Sequence, residues 1–137
     1  MKIVLDKGAF MPKRAHEDDA GYDLYSPVDR EIKPKGYTTI DTGVHFQIPK
    51  GYVGFIKSKS GMNVKFSITS EGVVDSGFTG SVFVKLYNNS YRPFHISKGD
   101  KITQIVFLPV LLPELEVVDG LEETERGNNG FGSTGRR

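Results

Sequence analysis

The 137-residue chain contains no cysteine, which excludes disulfide bonds, thiolate zinc sites and cysteine nucleophiles. It also lacks an excess of charge of either sign, because 18 basic residues face 17 acidic ones and the net charge is +1. The field of the whole molecule therefore gives no reason to expect attraction to nucleic acid or to a membrane surface. Any site for a polyanion must be local.

A long apolar run is missing as well. Asp6 and Lys7 follow after only three apolar residues, far short of a signal-peptide core or a membrane span. We therefore expect a soluble, cytoplasmic protein without membrane contact. The length is typical of one domain with a single core.

Stretches long enough for an ordinary helix are scarce, because 16 glycines and 7 prolines fall at short intervals. Alternating or continuous apolar patterns predict strands over residues 44–48, 81–87 and 102–108, and shorter strands over 3–5, 22–25, 37–41, 52–56, 67–68 and 115–118. A short helix is predicted at 61–65. Many short strands at regular spacing predict an all-β sandwich, jelly roll or barrel.

Residues 51–61 end a predicted strand in a turn that is rich in lysine and serine. Lys57, Ser58, Lys59 and Ser60 precede the predicted helix, and charged donors beside a helix N-terminus favour anions. The alternative is a solvated turn in which Ser60 caps the helix.

Residues 72–80 carry a single carboxylate, Asp75, at a predicted hairpin turn. Val73, Val74 and Phe78 are expected to shield it partly from water, which favours its use as a general base. In the alternative interpretation Asp75 only caps backbone N–H groups of the turn.

Asp23 is a candidate for contact with a magnesium ion, since Mg²⁺ keeps several waters and uses few protein carboxylates; alternatively, it makes a strand-end hydrogen bond. The three histidines, His16, His45 and His95, are too scattered to predict a metal site and are interpreted as ordinary residues. The glycine-rich end of the chain predicts a disordered tail or, because of its lone aromatic Phe131, a segment that closes over an anion.

The order of these features resembles the five motifs of the trimeric dUTPase family. The matching segments are residues 20–26 (AGYDLYS), 49–61 with the closing KSG, 72–80 (GVVDSGFTG), 98–104 (KGDKITQ) and 126–135 (RGNNGFGSTG), within a resemblance that extends over 18–135. The resemblance implies a dUTP diphosphatase that converts dUTP to dUMP and pyrophosphate, limits uracil incorporation into DNA and supplies dUMP for dTMP synthesis.

The resemblance implies a jelly-roll-like β-barrel over residues 1–118 and a flexible C-terminal arm over 119–137. Family members form homotrimers whose active sites lie between subunits, with the arm closing over a neighbour's site. The implied substrate-binding residues are Lys59, Ser60, Gly61, Gly72, Val73, Val74, Phe78, Lys85, Gln104, Arg126, Phe131, Gly132, Ser133 and Thr134.

In the same resemblance Asp75 is the general base for in-line attack of water on the α-phosphorus. Mg²⁺ bridges the phosphates, and Asp23 holds it through water. Main-chain groups of the hairpin around residues 72–84 read uracil and leave no room for the methyl group of thymine. Phe78 packs under the deoxyribose and excludes a 2′-hydroxyl group. Phe131 stacks on the base.

Three positions depart from the family pattern. Lys59 and Lys101 stand where arginines are usual, which keeps the charge but removes the bidentate fork. Phe78 stands where tyrosine is usual, so the ring face remains without its hydroxyl group.

Two other functions stay open from the sequence alone, besides a purely structural β-protein. A dCTP deaminase shares a related fold, but its arginine-serine-serine motif reads here Lys59-Ser60-Gly61. A binding module is the other, since some virus-encoded relatives also bind regulatory proteins; a regulatory partner is possible here without direct support.

Overall fold

The computed structural model describes residues 1–130 and residue 135. In the described part of the chain there are ten strands and one short helix. They are β1 (Lys2–Leu5), β2 (Gly21–Tyr25), β3 (Arg30–Ile32), β4 (Tyr37–Gln47), β5 (Tyr52–Lys57), α1 (Ser60–Phe66), β6 (Ile68–Thr69), β7 (Glu71–Asp75), β8 (Ser81–Asn88), β9 (Phe94–Ile96) and β10 (Lys101–Pro109).

The strands form two four-stranded antiparallel sheets and one small ribbon. The first sheet has the order β1-β4-β8-β6, the second the order β2-β10-β5-β7, and β3 pairs with β9. The all-β, jelly-roll-like fold is thus confirmed, but closure into a barrel is not. Within residues 1–130 no strand of one four-stranded sheet pairs with a strand of the other, because the chain passes between the sheets through loops.

The core lies between the inward faces of the sheets. Along β8 every second side chain is buried, which is the period of a strand with one face in the core. Each fully buried aliphatic side chain stabilises the fold by about 1.5–3 kcal/mol. The core cluster comprises Leu24, Ile32, Ile40, Val44, Phe46, Ile48, Ile56, Ile68, Val74, Val82, Val84, Leu86, Ile96, Ile102 and Ile105.

Most predicted strands are present, with one exception in how they are divided. The predicted strands 37–41 and 44–48 are one strand, β4, because the register with β8 shifts between Asp41 and His45 and pairing then resumes. Gly43 lies in this bulge with φ of 67°, and a Cβ atom there would approach the Cβ of Ala9 to 2.9 Å. The bulge therefore requires glycine.

The helix α1 is slightly longer than predicted. Lys59, not Ser60, occupies the N-cap position, and no side chain caps the helix, so the interpretation of Ser60 as the cap is wrong. Ser67 ends the helix in the left-handed conformation, with φ of 58°.

The chain after Pro109 has no strand or helix in its described residues. The predicted strand 115–118 is absent, and Leu111, Leu115 and Val117 are each at least 92% exposed. Among the described residues these apolar side chains find no partner. Among the described residues, no helix combines the length and apolar character needed to span a bilayer.

Candidate functional site

Four side chains meet at one end of the second sheet and form what we call the polar pocket: Asp23, Lys59, Lys101 and Gln104. Asp23 is buried on β2. One of its oxygens accepts a hydrogen bond from the ammonium group of Lys59, and the other lies 2.8 Å from Nζ of Lys101. A carboxylate is thus held between two lysines.

Strand register explains why these residues meet. Strand β10 lies between β2 and β5, so that Gln104 is opposite Asp23 on one side and opposite Lys57 on the other. Lys59 follows two residues after Lys57, in the turn that leads into α1. Residues from three separate parts of the chain therefore converge on one end of the sheet.

The ion pairs decide the protonation of Asp23. Burial opposes ionisation of this carboxyl, but the hydrogen bonds and charges of Lys101 and Lys59 outweigh it and hold its pKa below the ordinary value of 3.8. The hydrogen bond to Asp23, followed by the charge of that carboxylate, raises the pKa of Lys101. At neutral pH the pocket contains one negative and two positive charges.

Gln104 is held in this pocket by a hydrogen bond from its amide group. Its Nε2 donates to the backbone carbonyl of Ser58 at 3.0 Å. Its Oε1 lies over Gly21, where a Cβ atom would be only 2.1 Å away. Glycine at position 21 is therefore necessary for the observed position of Gln104.

The backbone around the pocket is also held in place. Thr103 Oγ1 donates to the carbonyl of Lys57 at 2.7 Å, and the amide of Ser70 donates to Ser58 Oγ at 2.9 Å. Ser60 and Gly61, the next predicted site residues, form the first turn of α1 beside this pocket. Two ammonium groups and an oriented amide suit an anion that carries several oxygens.

The second group of predicted residues lies in what we call the carboxylate loop, Asp75 with residues 76–80. Asp75 is the last residue of β7 and its side chain is exposed. The amide of Phe78 donates to the carbonyl of Asp75 at 3.0 Å, which closes a turn. The ring of Phe78 is 47% exposed and lies against Gly80, where a Cβ atom would be 2.6 Å from Cζ of the ring.

Two expectations about this loop are wrong. It is not a β-hairpin, because β7 belongs to the second sheet and β8 to the first, so the loop connects the sheets. Asp75 is also not shielded from water within its own chain. Side chains alternate along β7, so Val74 points into the core while Asp75 and Val73 point outward.

Two further predicted residues are Gly72, which allows close packing against a neighbouring strand, and Lys85, which lies apart from Asp75. Gly72 pairs with Ile56, against whose side chain a Cβ atom at position 72 would press at 3.3 Å. Lys85 lies on β8, four residues after the first residue of that strand, Ser81. Its ammonium group is 4.0 Å from the ring centroid of Tyr37. Within one chain the charge of Lys85 is thus directed at an aromatic face.

The polar pocket and the carboxylate loop are at opposite ends of the same pair of strands. Along the β5–β7 pair, Asp75 is opposite Val53, whereas Glu71 is opposite Lys57, next to the pocket. Four residues of an extended strand span about 13 Å. A single chain therefore does not bring Asp75 to Lys59, Asp23 or Gln104.

The last predicted residues are in the C-terminal segment. Arg126 lies in an exposed turn, where its Nε donates to the carbonyl of Asn129 at 3.0 Å. Phe131, Gly132, Ser133 and Thr134 lie outside the described residues. In the described part of the chain no three His, Asp or Glu side chains are grouped as a metal site.

The sequence alone did not reveal Lys101 as a second partner of Asp23, nor the support from Ser58, Ser70 and Thr103. No local signal marks these contacts, because each depends on which strands lie side by side. The only sequence hint was Lys101 itself, at a position where the resembled family has arginine.

The fold and the two groups together define a class of protein. It is a jelly-roll-like β-protein with a pocket that contains two ammonium groups and with a separate exposed carboxylate, a combination that is compatible with a phosphoanhydride hydrolase.

Comparison with known proteins identifies the family. The dUTPase family model matches residues 7–135. The deoxyuridine 5'-triphosphate nucleotidohydrolase of Tropheryma whipplei (strain Twist) is 42% identical over 137 residues, which cover 97% of this chain and 94% of that protein. This chain belongs to the dUTPase family.

Solved structures agree with this assignment. A variant of the dUTPase of Staphylococcus bacteriophage 80alpha with bound dUpNHpp is similar to this chain at a TM-score of 0.91 and 31% identity, covering 98% of this chain and 97% of that one. A variant of the dUTPase of phage phi11 of S. aureus has a TM-score of 0.83 and 30% identity, covering 89% and 98%. The structure of that phage protein shows a coordinated structural Mg(II) ion.

Proposed function

We propose that this protein hydrolyses dUTP to dUMP and pyrophosphate, and thereby limits uracil incorporation into DNA and supplies dUMP for dTMP synthesis. The observation that carries the proposal is the polar pocket, in which Lys59 and Gln104 are already oriented for a polyanion by contacts to Asp23 and Ser58. Family membership supplies the identity of that polyanion.

On the phosphate side, the triphosphate binds beside α1. Lys59, Ser60 and Gly61 contribute an ammonium group, a hydroxyl group and backbone N–H groups, and Gln104 contributes its amide. Lys59 then exchanges part of its contact with Asp23 for phosphate oxygens. Because Lys101 remains on Asp23, that buried carboxylate is never left without a cation.

On the nucleoside side, Asp75 acts as the general base. It accepts a proton from a water molecule whose oxygen forms a bond to the α-phosphorus. The bond from that phosphorus to the bridging oxygen breaks, and pyrophosphate leaves with the electron pair. Main-chain groups of Gly72, Val73 and Val74 read uracil, and Phe78 supports the deoxyribose.

These two sides meet only if chains associate. Since the polar pocket and the carboxylate loop are about 13 Å or more apart along β5, one catalytic centre takes Asp75 from one chain and Lys59 from its neighbour. A closed homotrimer provides three such centres by repetition of one heterologous contact. Asp75 then loses at the interface the exposure that it has in a single chain.

The described residues fit a hydrated magnesium ion that is carried by the triphosphate. Both oxygens of Asp23 contact lysines, but each carboxylate oxygen has a second lone pair that accepts from a metal-bound water. Mg²⁺ commonly keeps its waters and binds through substrate phosphates. When bound, it neutralises charge on the pyrophosphate leaving group.

Residues 119–137 form an arm that covers a neighbouring subunit's site once nucleotide is bound, after a catalytic domain over 1–118. The described part of this segment supports the assignment, because its apolar residue Leu121 is 90% exposed and is available to a neighbouring subunit. In the arm Arg126, Ser133 and Thr134 contact the terminal phosphates, Phe131 stacks on uracil, and Gly132 allows close approach. A cytoplasmic location completes the proposal.

The test is pyrophosphate release from dUTP with Mg²⁺, beside dTTP, dCTP and UTP. We expect release from dUTP alone, and its loss in Asp75→Asn. Glu71→Gln is the matched control, because Glu71 is an exposed carboxylate at the other end of the same strand, paired only with Lys57. Loss of ammonia from dCTP in place of pyrophosphate release would make the protein a deaminase and contradict the proposal.

A further inference from the structure

His45 lies outside both groups of site residues, yet it contacts the carboxylate loop. It is on β4 at the bulge, between the end of β1 and the residues that precede β8. Its Nδ1 lies 2.8 Å from the carbonyl oxygen of Thr79, and its Nε2 lies 3.2 Å from Oδ2 of Asp6. The imidazole therefore joins two segments that are distant in sequence.

Both partners of this ring are pure hydrogen-bond acceptors. A neutral imidazole carries one N–H, so it can donate to Thr79 or to Asp6 but must turn a lone pair toward the other. Only the imidazolium donates to both. The geometry thus selects the protonated form of His45.

The surrounding charges act in the same direction. The carbonyl of Thr79 foremost, then Asp6 through its hydrogen bond and charge, and Asp41 more weakly raise the pKa of His45 above the ordinary value of 6.5. Burial opposes this effect. Lys2 of β1 lines the same groove, and β8 contributes the uncharged Ser81. The doubly donating form consequently persists above pH 6.5 and is lost as the pH rises through the raised pKa.

The Thr79 carbonyl is mechanically linked to Phe78. It belongs to the peptide that leads into Gly80, and the ring of Phe78 lies directly on Gly80. On the other side of Gly80, the hydroxyl group of Ser81 donates to Asp41 of β4. Both neighbours of Gly80 are therefore tied to β4, one through an ionisable ring and the other through a hydroxyl group.

We propose that His45 is a positioning residue for dUTP binding: while it donates to both Thr79 and Asp6 it fixes the surface on which Phe78 supports the nucleoside, and alkaline pH releases that surface. The inference rests on the proposed function, because it assigns the nucleoside to this loop. It adds pH control of substrate affinity at a residue that touches no part of the substrate.

The experiment measures KM and kcat for dUTP from about pH 6 to about pH 9, a range that brackets an ordinary and a raised histidine pKa. Each variant is compared with wild type at the same pH, so that titration of the substrate phosphates cancels. His45→Phe keeps a ring but has no donor, and Asp6→Asn keeps the imidazole but removes its carboxylate. His95→Gln is the control, since His95 pairs with Glu31 on the remote β3–β9 ribbon.

For His45→Phe we expect a KM about tenfold above wild type at acid pH, a gap that closes toward alkaline pH, and a much smaller change in kcat. For Asp6→Asn the loss of affinity should begin at lower pH than in wild type. Glutamine at position 45 donates a hydrogen bond but does not titrate. The ratio of the KM of His45→Gln to the KM of the control His95→Gln should therefore change with pH only because the control, like wild type, loses affinity for dUTP at alkaline pH. KM values of His45→Phe that follow wild type at every pH would overturn the inference.

A second readout does not depend on turnover. The chemical shift of a ring proton of His45, followed by NMR in the nucleotide-free protein, should change with a midpoint above pH 6.5. In Asp6→Asn this midpoint should lie at a lower pH than in wild type. If His45→Phe fails to fold, the NMR titration and the pH dependence of KM in Asp6→Asn test the inference in its place. A His45 titration midpoint that is not raised in wild type overturns the inference. Failure of the proposed function is distinct, because dUTP would then be untouched by wild type at every pH.

Discussion

The two ends of the β5–β7 pair are built in different ways. At the polar pocket, Asp23 is buried and bonded to two lysines, and the amide of Gln104 is held by a hydrogen bond to the carbonyl of Ser58. At the carboxylate loop, Asp75 and Phe78 are exposed, and their order comes from backbone turns and from β4. The polar pocket is organised within one chain, whereas the carboxylate loop exposes Asp75 and Phe78 on the surface of that chain.

This difference suggests that the phosphate contacts are organised within one chain, whereas the surroundings of the general base are completed only on assembly. A pocket for a triphosphate must hold cations against their mutual repulsion before substrate arrives, and a buried carboxylate does so. A general base must instead lose water when substrate is bound, and in this protein a second chain and the C-terminal arm are the proposed source of that desolvation. The predictions below test this contrast, beginning with the largest expected effect.

Removing the base and removing a phosphate contact should have different kinetic signatures. Asp75→Asn should lower kcat about a thousandfold with little change in KM, because proton transfer occurs only in the transition state. Lys59→Met should mainly raise KM, by about tenfold or more, because its ammonium group binds substrate and transition state alike. Steady-state kinetics on dUTP at saturating Mg²⁺ measures both. Equal effects of the two variants on kcat and KM would remove the functional distinction between the two ends.

Deleting the arm should lower turnover without unfolding either end of the β5–β7 pair. A chain that ends before Arg126 retains every strand and the whole core cluster, so it should fold and keep its oligomeric state. Its kcat/KM should nevertheless fall about a hundredfold, since water is then no longer excluded from the reacting groups. Thermal unfolding and sizing serve as controls. Unchanged kcat/KM would contradict the proposed closure.

The polar pocket should be the more important end for stability. Asp23→Asn leaves two lysines without their shared carboxylate and should lower the free energy of unfolding by about 2 kcal/mol at neutral pH. Because the pKa of Asp23 is lowered in the folded state, its contribution is complete above the ordinary carboxyl value and is lost as the pH falls through the lowered one. Urea unfolding of both proteins should therefore differ at neutral pH and converge in strong acid. Asp75→Asn, at the exposed end, is the control and should unfold like wild type.

Much of this arrangement was predictable from residues alone, and the failures have physical causes. Strand β8 was visible because its apolar residues alternate, and the Asp23, Lys59 and Asp75 segments stood out by their turn and charge composition. Strands β3 and β9 have three residues each, too few for a period to appear. The predicted strand 115–118 has a suitable pattern but no partner strand within residues 1–130.

The site was less predictable than the fold. The contact of Asp23 with Lys101 depends on β2 lying beside β10, and that pair includes a register shift between Lys101 and Thr103. A local pattern carries no information about such a pairing. The expected shielding of Asp75 failed for a different reason, because residue alternation on β7 places Val74 on the other face. The set of site residues stays a prediction, and their separation into two ends was not foreseen from the sequence.

The smallest expected effect concerns the position of Gln104. Gly21→Ala places a methyl group where Oε1 of Gln104 lies, 2.1 Å away, and should raise KM about fivefold by displacing that side chain. Gln104→Ala should have a similar effect, and the double variant should be no worse than Gln104→Ala alone. Additive losses in this cycle would show that Gly21 acts by another route.

The central claim, that one catalytic centre takes its two ends from different chains, is tested most directly by mixing two variants that are both impaired at low dUTP concentration. Asp75→Asn and Lys59→Met are each measured alone, then unfolded together in equal amounts, refolded and assayed for pyrophosphate release at a dUTP concentration well below the KM of wild type. Random trimers should regain about one quarter of wild-type activity, because that share of centres receives an intact Asp75 from one chain and an intact Lys59 from its neighbour. Activity no greater than the mean of the separate variants would show that each centre lies within one chain.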